Sequence, residues 1–366
     1  MGDAGDRTVP SVDYSPFTLA SFLSGFRTVK GVRVPVSRDM KFGLFVNPQA
    51  PAGTAPTALA DDLLAQTEAA RDAGFDLVTT GQHYLADYAQ LQLMPLLARM
   101  TAVSGSMRVG SGIVLLPLHH PVEIAEQLTT LSALCDGVVA GVGAGYRDVE
   151  FESFGIPKEE RAGRLAEGVE LMNRLWTEEN VTFDGEFYSV DDVSITPRPA
   201  EKPDVWVAAN ARRAVERAAR IGDAWFVNPH ATVAEIREQK RQYDAVREER
   251  GEDTDVPVFR EAFVAPTRDE AVSAAREHLE AKYQRYIEWG QDEAMEDQED
   301  LHRSFEELAE DRFVLGTPEE ACAEIERYEE ELNASDVVLR VCWPGMDNER
   351  AVECIERIGD DVIPHV

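Results

Sequence analysis

Positive charge is scarce in this chain of 366 residues. Lysine and arginine together number 36, only six of them lysine, against 68 aspartates and glutamates, so the formal net charge is −32. Surfaces that bind nucleic acid are basic, and this composition therefore excludes nucleic acid as an expected partner. An acidic surface repels itself in dilute buffer, whereas salt at 1 M screens charges over about 3 Å. These facts lead to the hypothesis of a protein from a high-salt cytoplasm.

Cysteines and long apolar runs are also rare. The four cysteines (Cys135, Cys322, Cys342 and Cys354) form no Cys-x-x-Cys pair, which predicts buried free thiols rather than a zinc site. No apolar stretch approaches the roughly 20 residues that cross a bilayer, and the N-terminus lacks the basic and apolar segments of a secretion signal. We therefore expect a cytoplasmic protein without a membrane partner.

The chain changes character near residue 40. Residues 1–39 are rich in Asp, Ser, Pro and Gly with little periodicity, which predicts a poorly ordered extension. Residues 40–366 alternate short apolar segments with amphipathic ones, the pattern of parallel β–α units. Eight such units predict an α/β fold, a (β/α)8 TIM barrel with insertions, rather than a doubly wound sheet. The predicted strands are 41–46, 76–80, 108–115, 138–142, 205–207, 224–227, 258–264 and 337–341, and the predicted helices are 57–73, 91–103, 122–134, 161–176, 212–221, 233–250, 318–332 and 349–358.

Two segments exceed this repeat. Residues 182–199 carry aromatic residues around Asp184-Gly185, which predicts a hairpin. Residues 266–316 add helical sequence with Tyr283, Tyr286 and Trp289, which forms either a lid over the barrel mouth or a plain packing helix.

Functional groups of such barrels follow the C-terminal ends of the strands. His83 follows the second strand, and histidine exchanges protons near neutral pH. Asn210 is a good helix N-cap after the fifth strand, and the helix behind it, with Arg212 and Arg213, suits a phosphate. The adjacent pair His119-His120 has no matching acidic cluster, so we expect no metal site.

The fourth strand runs into a glycine-rich loop, Gly141-Val142-Gly143-Ala144-Gly145-Tyr146. Glycines at alternate positions let the backbone approach a flat or phosphorylated ligand without side-chain clash. Alone this motif is weak evidence for a ligand site, and the neighbouring sequence blocks strengthen it.

From residue 40 almost to the C-terminus the chain resembles the luciferase-like monooxygenase family. The resemblance rests on ordered short blocks: 41–45, Gln82-His83-Tyr84, Leu116-Pro117-Leu118-His119-His120-Pro121, 141–151, Leu175-Trp176-Thr177, 183–188, Pro197-Arg198-Pro199, Trp206-Val207-Ala208, Gly316-Thr317-Pro318-Glu319-Glu320 and Pro344-Gly345-Met346. It implies a flavin-type ring across the barrel mouth against the third strand, with a non-prolyl cis peptide at Gly112–Ile113. It also implies that His83 lies near the reacting edge of the ring as proton donor or shuttle.

The resemblance further implies which residues hold the cofactor. Its phosphate would lie between the glycine loop and the helix that follows Asn210. The implied cofactor-binding residues are Gly112, Ile113, Gly143, Ala144, Gly145, Tyr146, Asn210, Ala211, Arg212 and Arg213. Two positions depart from many flavin-using relatives: Gln82 replaces a histidine, and Ala144 replaces an arginine that contacts phosphate, a charge that Arg212 or Arg213 could restore.

Three functions stay open from the sequence. The leading one is an FMN-dependent monooxygenase acting on a small organic substrate, and the second is a dehydrogenase or reductase that uses the deazaflavin coenzyme F420. The third is a non-catalytic flavin-binding barrel. Reduced flavin or deazaflavin and a small molecule are the expected partners, and a homodimer is open because family barrels commonly pair.

Overall fold

The computed structural model describes residues 26–29, 32–35, 40–291 and 300–366. The chain divides into two units, Met1–Asp39 and Met40–Val366. In the first unit, the strands Phe26–Val29 and Val32–Pro35 pair in antiparallel register. The rest of the predicted extension lies outside the described residues, and its lack of order stays a prediction.

Among the described residues of the second unit, eight parallel strands close into a barrel. The strand Asp204–Ala209 pairs with Ala224–Val227 on one side and with Val138–Gly143 on the other, and the pairing with Val138–Gly143 closes the sheet. The strands are β1 (Lys41–Phe45), β2 (Leu77–Thr80), β3 (Arg108–Ser111), β4 (Val138–Gly143), β5 (Asp204–Ala209), β6 (Ala224–Val227), β7 (Val256–Val264) and β8 (Ala334–Arg340). The predicted (β/α)8 barrel and its strands are confirmed.

One helix follows each strand and covers the outside of the barrel. These helices are α1 (Pro56–Asp72), α2 (Leu93–Met100), α3 (Pro121–Ser132), α4 (Arg161–Thr177), α5 (Arg212–Ile221), α6 (Val233–Arg250), α7 (Pro318–Leu332) and α8 (Asn348–Asp361). Local sequence fixes several starts: Thr232 and Thr317 each form a capping box with a glutamate three residues later. Apolar faces of these helices join one core with the outward side chains of the strands.

Aromatic rings fill the barrel interior below its mouth. The rings of Phe45 and Phe259 stack with centroids 4.9 Å apart, and Phe226 continues the stack at 5.8 Å from Phe259. Trp206 packs on Phe226 at 5.5 Å. This stack is the floor on which any ligand at the mouth rests.

The insertions agree with the sequence pattern. Strands Val181–Asp184 and Ser189–Val193 pair as the predicted hairpin. A short helix, Asp148–Phe154, follows β4, and a long one, Arg268–Glu288, follows β7. Beyond it lie the helix Phe305–Ala309 and the strand Val314–Gly316, which pairs with β7.

The structure also bears on two expectations from composition. Within the described residues, no helix combines the length and apolar character needed to cross a membrane. All four cysteines are described and free, but only Cys354 is fully buried. The prediction of free thiols is confirmed, whereas Cys135, Cys322 and Cys342 are only partly buried.

Candidate functional site

A cavity of about 630 Å³ opens at the C-terminal ends of the strands. Residues following β1 to β6 line it, and this is the face where barrels of this type carry their sites. The cavity brings together ten of the predicted site residues: His83, Gly112, Ile113, Gly143, Ala144, Gly145, Tyr146, Asn210, Ala211 and Arg213. Arg212 instead lines a smaller cavity of about 110 Å³, which shares Asn210 and Asn228 with the large one.

The third and fourth strands approach each other closely at the cavity floor. The peptide bond Gly112–Ile113 is cis, as the resemblance implied. A Cβ atom on Gly141 would lie 1.9 Å from the carbonyl oxygen of Ser111, and one on Gly143 would lie 2.0 Å from Cδ1 of Ile113. Glycine is therefore required at Gly141, where the obstacle is backbone, whereas a side chain at Gly143 would displace the Ile113 side chain that packs on the glycine loop.

His83 forms a hydrogen-bonded pair with a buried carboxylate. Its Nδ1 lies 3.1 Å from Oε1 of Glu150, which also accepts from the backbone N–H of Tyr84 at 2.8 Å and from Nη1 of Arg147 at 3.3 Å. With a carboxylate as partner, Nδ1 carries the proton, so Nε2 is the ring nitrogen left for a ligand. The carboxylate thereby sets both the ring orientation and the tautomer of His83.

The charge on Glu150 is maintained despite burial. Burial raises the pKa of this carboxyl, but the hydrogen bond and charge of His83, the Tyr84 N–H and Arg147 outweigh it and hold the pKa below its ordinary value. Arg147 also donates to the carbonyl of Tyr84 at 2.7 Å. Sequence reasoning missed Glu150 and Arg147, although both lie in the block 141–151, where a buried glutamate beside an arginine could have drawn attention.

Gln82, which stands where many relatives have histidine, is held in a local network. Its Oε1 accepts from the backbone N–H of Leu115 at 3.0 Å, and its Nε2 donates to the hydroxyl of Tyr84 at 2.7 Å. His119 Nε2 lies within 3.3 Å of both side chains. His120 caps α3 through its Nδ1, which accepts from the N–H of Val122. The two histidines thus have separate structural roles, and no cluster of metal-ligating side chains occurs in the described part of the chain.

The opposite side of the cavity is rich in arginine. Arg161, at the start of α4, lines the cavity together with Arg213 and Arg217 of α5. Burial, and then the positive charge of Arg161, lower the pKa of Arg217, so these two cations lie within each other's field. Sequence reasoning found Arg213 but missed the other two. Arg161 comes from a different helix, α4, and Arg217 lies in the second turn of α5.

The predicted N-cap at Asn210 was wrong. Ala211 occupies the N-cap position of α5, and within the described residues no side chain caps this helix. The helix begins one residue later than Asn210 could cap, and the Asn210 carbonyl instead accepts from Nε2 of Gln239 at 2.7 Å. The start of α5 therefore opens toward the cavity with its positive end uncapped, which suits an anion better than the predicted cap did.

The helix Arg268–Glu288 reaches the cavity with its C-terminal end. Tyr286 and Gln291 line the cavity, whereas Tyr283 is buried behind it. The ring of Trp289 lies 5.3 Å from that of His83 and 5.5 Å from that of Tyr286, and Arg147 stacks on it at 4.1 Å. The end of this insertion therefore forms a wall beside His83, whereas a lid over the barrel mouth stays a prediction.

The residues present fit a flavin-type cofactor. Flat apolar surfaces from Ile113, Phe45 and Phe226 suit a ring, and the arginines with the start of α5 suit its phosphate. The buried hydroxyl of Tyr146 lines the cavity and has no hydrogen-bond partner among the described residues. Such a hydroxyl is a ready contact for a polar edge of a bound molecule.

The barrel and the site define a flavin- or deazaflavin-type oxidoreductase of the luciferase class, and comparison with known proteins agrees. The chain belongs to the luciferase-like monooxygenase family, whose model matches residues 40–333. The F420-dependent glucose-6-phosphate dehydrogenase of Amycolatopsis mediterranei is 29% identical over 324 residues, which are 83% of this chain and 93% of that protein. The FMNH2-dependent dimethylsulfone monooxygenase of Pseudomonas fluorescens is 28% identical over 185 residues, about half of each chain (49% and 50%).

A solved structure extends this similarity over most of the chain. The monooxygenase RslO1 from Streptomyces bottropensis superposes with a TM-score of 0.78 at 25% identity, covering 89% of this chain and 99% of its own. Relatives thus include both FMN-linked and F420-linked enzymes, and the common ground is an oxidoreductase with a flavin-type cofactor and a small-molecule substrate.

Proposed function

We propose that this protein is an FMN-dependent monooxygenase in which His83, backed by Glu150, exchanges a proton with the substrate or the ring. The observation that carries the proposal is the division of one cavity into two ends. His83 follows β2 and is met by Glu150 from the short helix after β4, whereas the arginines come from α4 and α5. A molecule with a reactive ring at one end and a phosphate at the other matches this arrangement.

The phosphate end supports FMN. Three guanidinium groups, from Arg161, Arg213 and Arg217, can neutralise a phosphate monoester with two negative charges, even though Ala144 replaces the arginine of many relatives. Glu159 also lines this end, and its negative charge disfavours a cofactor whose tail carries further carboxylates. When bound, FMN would supply the electrons and the reaction with oxygen.

The reacting end is sheltered from water. Tyr286 and the hydroxyl of Tyr146 are buried, and the ring of Trp289 makes an edge contact with His83 at 5.3 Å. Exclusion of water protects reactive intermediates from hydrolysis and strengthens every charge interaction within the site. Glu150 would hold the positive charge that His83 acquires when it takes a proton.

A second candidate, an F420-dependent dehydrogenase or reductase, is supported by the lengths of the matches. The F420-dependent relative from Amycolatopsis mediterranei matches over 93% of its length, whereas the FMN-linked relative matches over 50%. Deazaflavin carries hydride without activating oxygen, so the cofactor decides the class of reaction.

Titration of FMN and of coenzyme F420 into protein purified in high salt tests the choice. We expect FMN to bind with micromolar affinity and Arg217→Ala to weaken this binding about tenfold, a loss of one charge-assisted contact. Arg220→Ala, which removes the same charge from an exposed position on the same helix, is the matched control. Tight binding of F420 alone would move the assignment to the second candidate. Binding of neither cofactor would favour the third function, a non-catalytic barrel.

A further inference from the structure

One end of the cavity, lined by Phe45, His230 and Tyr286, has buried cations behind its wall, although the chain as a whole is strongly acidic. The guanidinium carbon of Arg340 lies 5.1 Å from the ring centre of Phe45, and Nζ of Lys282 lies 4.8 Å from that of Tyr286. Phe45 and Tyr286 both line the cavity. Each cation is therefore separated from the cavity by one aromatic ring.

These two cations share a single carboxylate. Lys282 and Arg340 both donate to Glu261, which also accepts from Nε1 of Trp343 at 2.6 Å. Arg260, the neighbour of Glu261, is fully buried, and its Nε and Nη2 have no partner in the described part of the chain. Two buried cations, Lys282 and Arg340, thus share one buried carboxylate, an excess of one positive charge when all three are ionised, while Nη1 of Arg260 donates to the carbonyls of Asn228 and Phe259.

The surroundings of Lys282 disfavour its charged form. Burial, and then the charge of Arg340, lower the pKa of Lys282 to about 7, although Glu261 opposes the change. The other groups around Lys282 are the phenols of Tyr283 and Tyr286 and the imidazole of His230. A negative charge placed nearby in the cavity would raise this pKa and would itself be stabilised.

His230 supplies a hydrogen-bonding group at the same end. Its side chain is buried and lines the cavity, and its Nδ1 has no hydrogen-bond partner among the described residues. Burial, and then the charge of Lys282, hold the pKa of His230 well below its ordinary value, so the ring is neutral and donates one N–H. The rings of Tyr283 and Tyr286 fix its orientation through edge contacts at 5.6 and 5.9 Å.

We propose that this end of the cavity receives the carboxylate of an organic substrate, with His230 as its hydrogen-bond donor and the buried cations as the source of its electrostatic stabilisation. The proposal rests on the proposed function, because it takes His83 as the reacting end. Trp289 and Tyr286 bridge His83 and His230, so a substrate anchored at His230 extends along these rings toward His83.

Matched pairs of acids and amides test this assignment. Hexanoate and hexanamide, benzoate and benzamide, and phenylacetate and phenylacetamide are titrated by calorimetry at fixed ionic strength, with and without FMN. At pH 6.5 we expect at least one acid to bind about tenfold or more tightly than its amide. This preference should shrink above about pH 8, where Lys282 has lost its proton.

Variants separate the local charge from the net charge. Lys282→Met should reduce the preference for the acid. If this variant folds poorly, His230→Asn is the second test, and it should weaken acid binding. Lys41→Met removes the same charge from an exposed position at the start of β1 and should leave the preference unchanged. Equal binding of acid and amide in every pair, or binding of no acid, would overturn the proposal.

The same samples distinguish this proposal from the function on which it rests. Protein that binds an acid but neither FMN nor F420 would overturn the proposed function and leave the carboxylate site standing. Protein that binds FMN but shows no preference for acids would overturn the carboxylate site alone.

Discussion

Replacement of Glu150 by glutamine tests whether the cavity is an acid–base site or only a binding site. The change keeps the shape of the side chain and removes its charge. Oε1 of Glu150 accepts from His83, Tyr84 and Arg147, and its buried Oε2 has no partner among the described residues. An amide can still accept from one side, but it places an NH2 group where no acceptor is described.

The expected loss of stability follows from these contacts. Arg147 is buried and would lose its carboxylate, and removal of one partner from a buried ion pair typically destabilises by about 3–5 kcal/mol. Arg147 keeps its bond to the Tyr84 carbonyl and its stacking on Trp289, so we expect a smaller loss, about 1–3 kcal/mol. Urea unfolding in high salt measures it.

The effect on the rate should depend on His83. A positioned proton-transfer group contributes about 10²- to 10⁴-fold, so His83→Ala should lower kcat/KM by that range. Glu150→Gln should lower it about 10- to 100-fold, because the charge that stabilises protonated His83 is gone. If Glu150 acts through His83, the double variant should be no slower than His83→Ala alone.

Glu152→Gln is the matched control. Glu152 lies on the same short helix, is exposed, and undergoes the same change in charge. We expect its stability to change by less than about 0.5 kcal/mol and its rate to stay the same. Additive rate losses in the double variant, or a Glu150→Gln protein as fast as the control, would refute the role given to this carboxylate.

Three further predictions concern packing, titration and salt. Gly141→Ala should lower the free energy of unfolding by about 1–3 kcal/mol, because its Cβ would meet the Ser111 carbonyl, whereas Gly137→Ala meets only the flexible side chain of Arg108; equal losses in urea unfolding would contradict this. The stability of the wild type relative to Lys282→Met should rise from about pH 7 to pH 10, because the unfolded lysine, with its ordinary pKa of 10.5, binds a proton that the folded one has lost; a flat difference would disprove it. Dialysis from high to low salt should unfold the chain, as followed by circular dichroism, and full stability there would remove the high-salt hypothesis.

Most of the fold could be predicted because periodicity reports directly on burial. The nine residues of β7 are all buried, as expected for a strand covered on both faces, and its apolar residues made the strand readable although Arg260 and Glu261 interrupt them. Helix ends were readable where a cap is local, as at Thr317. Asn210 failed as a cap because the exact first residue of a helix depends on tertiary contacts, here the bond from Gln239 to its carbonyl.

The candidate site was predictable in part for the same reason. Residues directly after a strand, such as His83 and Gly143, were found because strand ends converge at one face of a barrel. Glu150, Arg217 and His230 were missed because their positions depend on how a helix or loop folds back over the mouth. No spacing in the sequence states that Glu150 meets His83, 67 positions away.

The two proposals together assign cofactor binding and substrate binding to different parts of the cavity, and this separation has a consequence for the family. The proposed phosphate contacts come from the glycine loop and α5, whereas Tyr286 comes from the insertion after β7, and the cations behind it come from that insertion and from β8. A change at Lys282 or Tyr286 can alter the substrate without touching the phosphate end, and a change at Arg217 can do the reverse. One barrel can therefore serve relatives that differ in both cofactor and substrate, and identifying one of the two for this protein leaves the other to be determined by its own experiment.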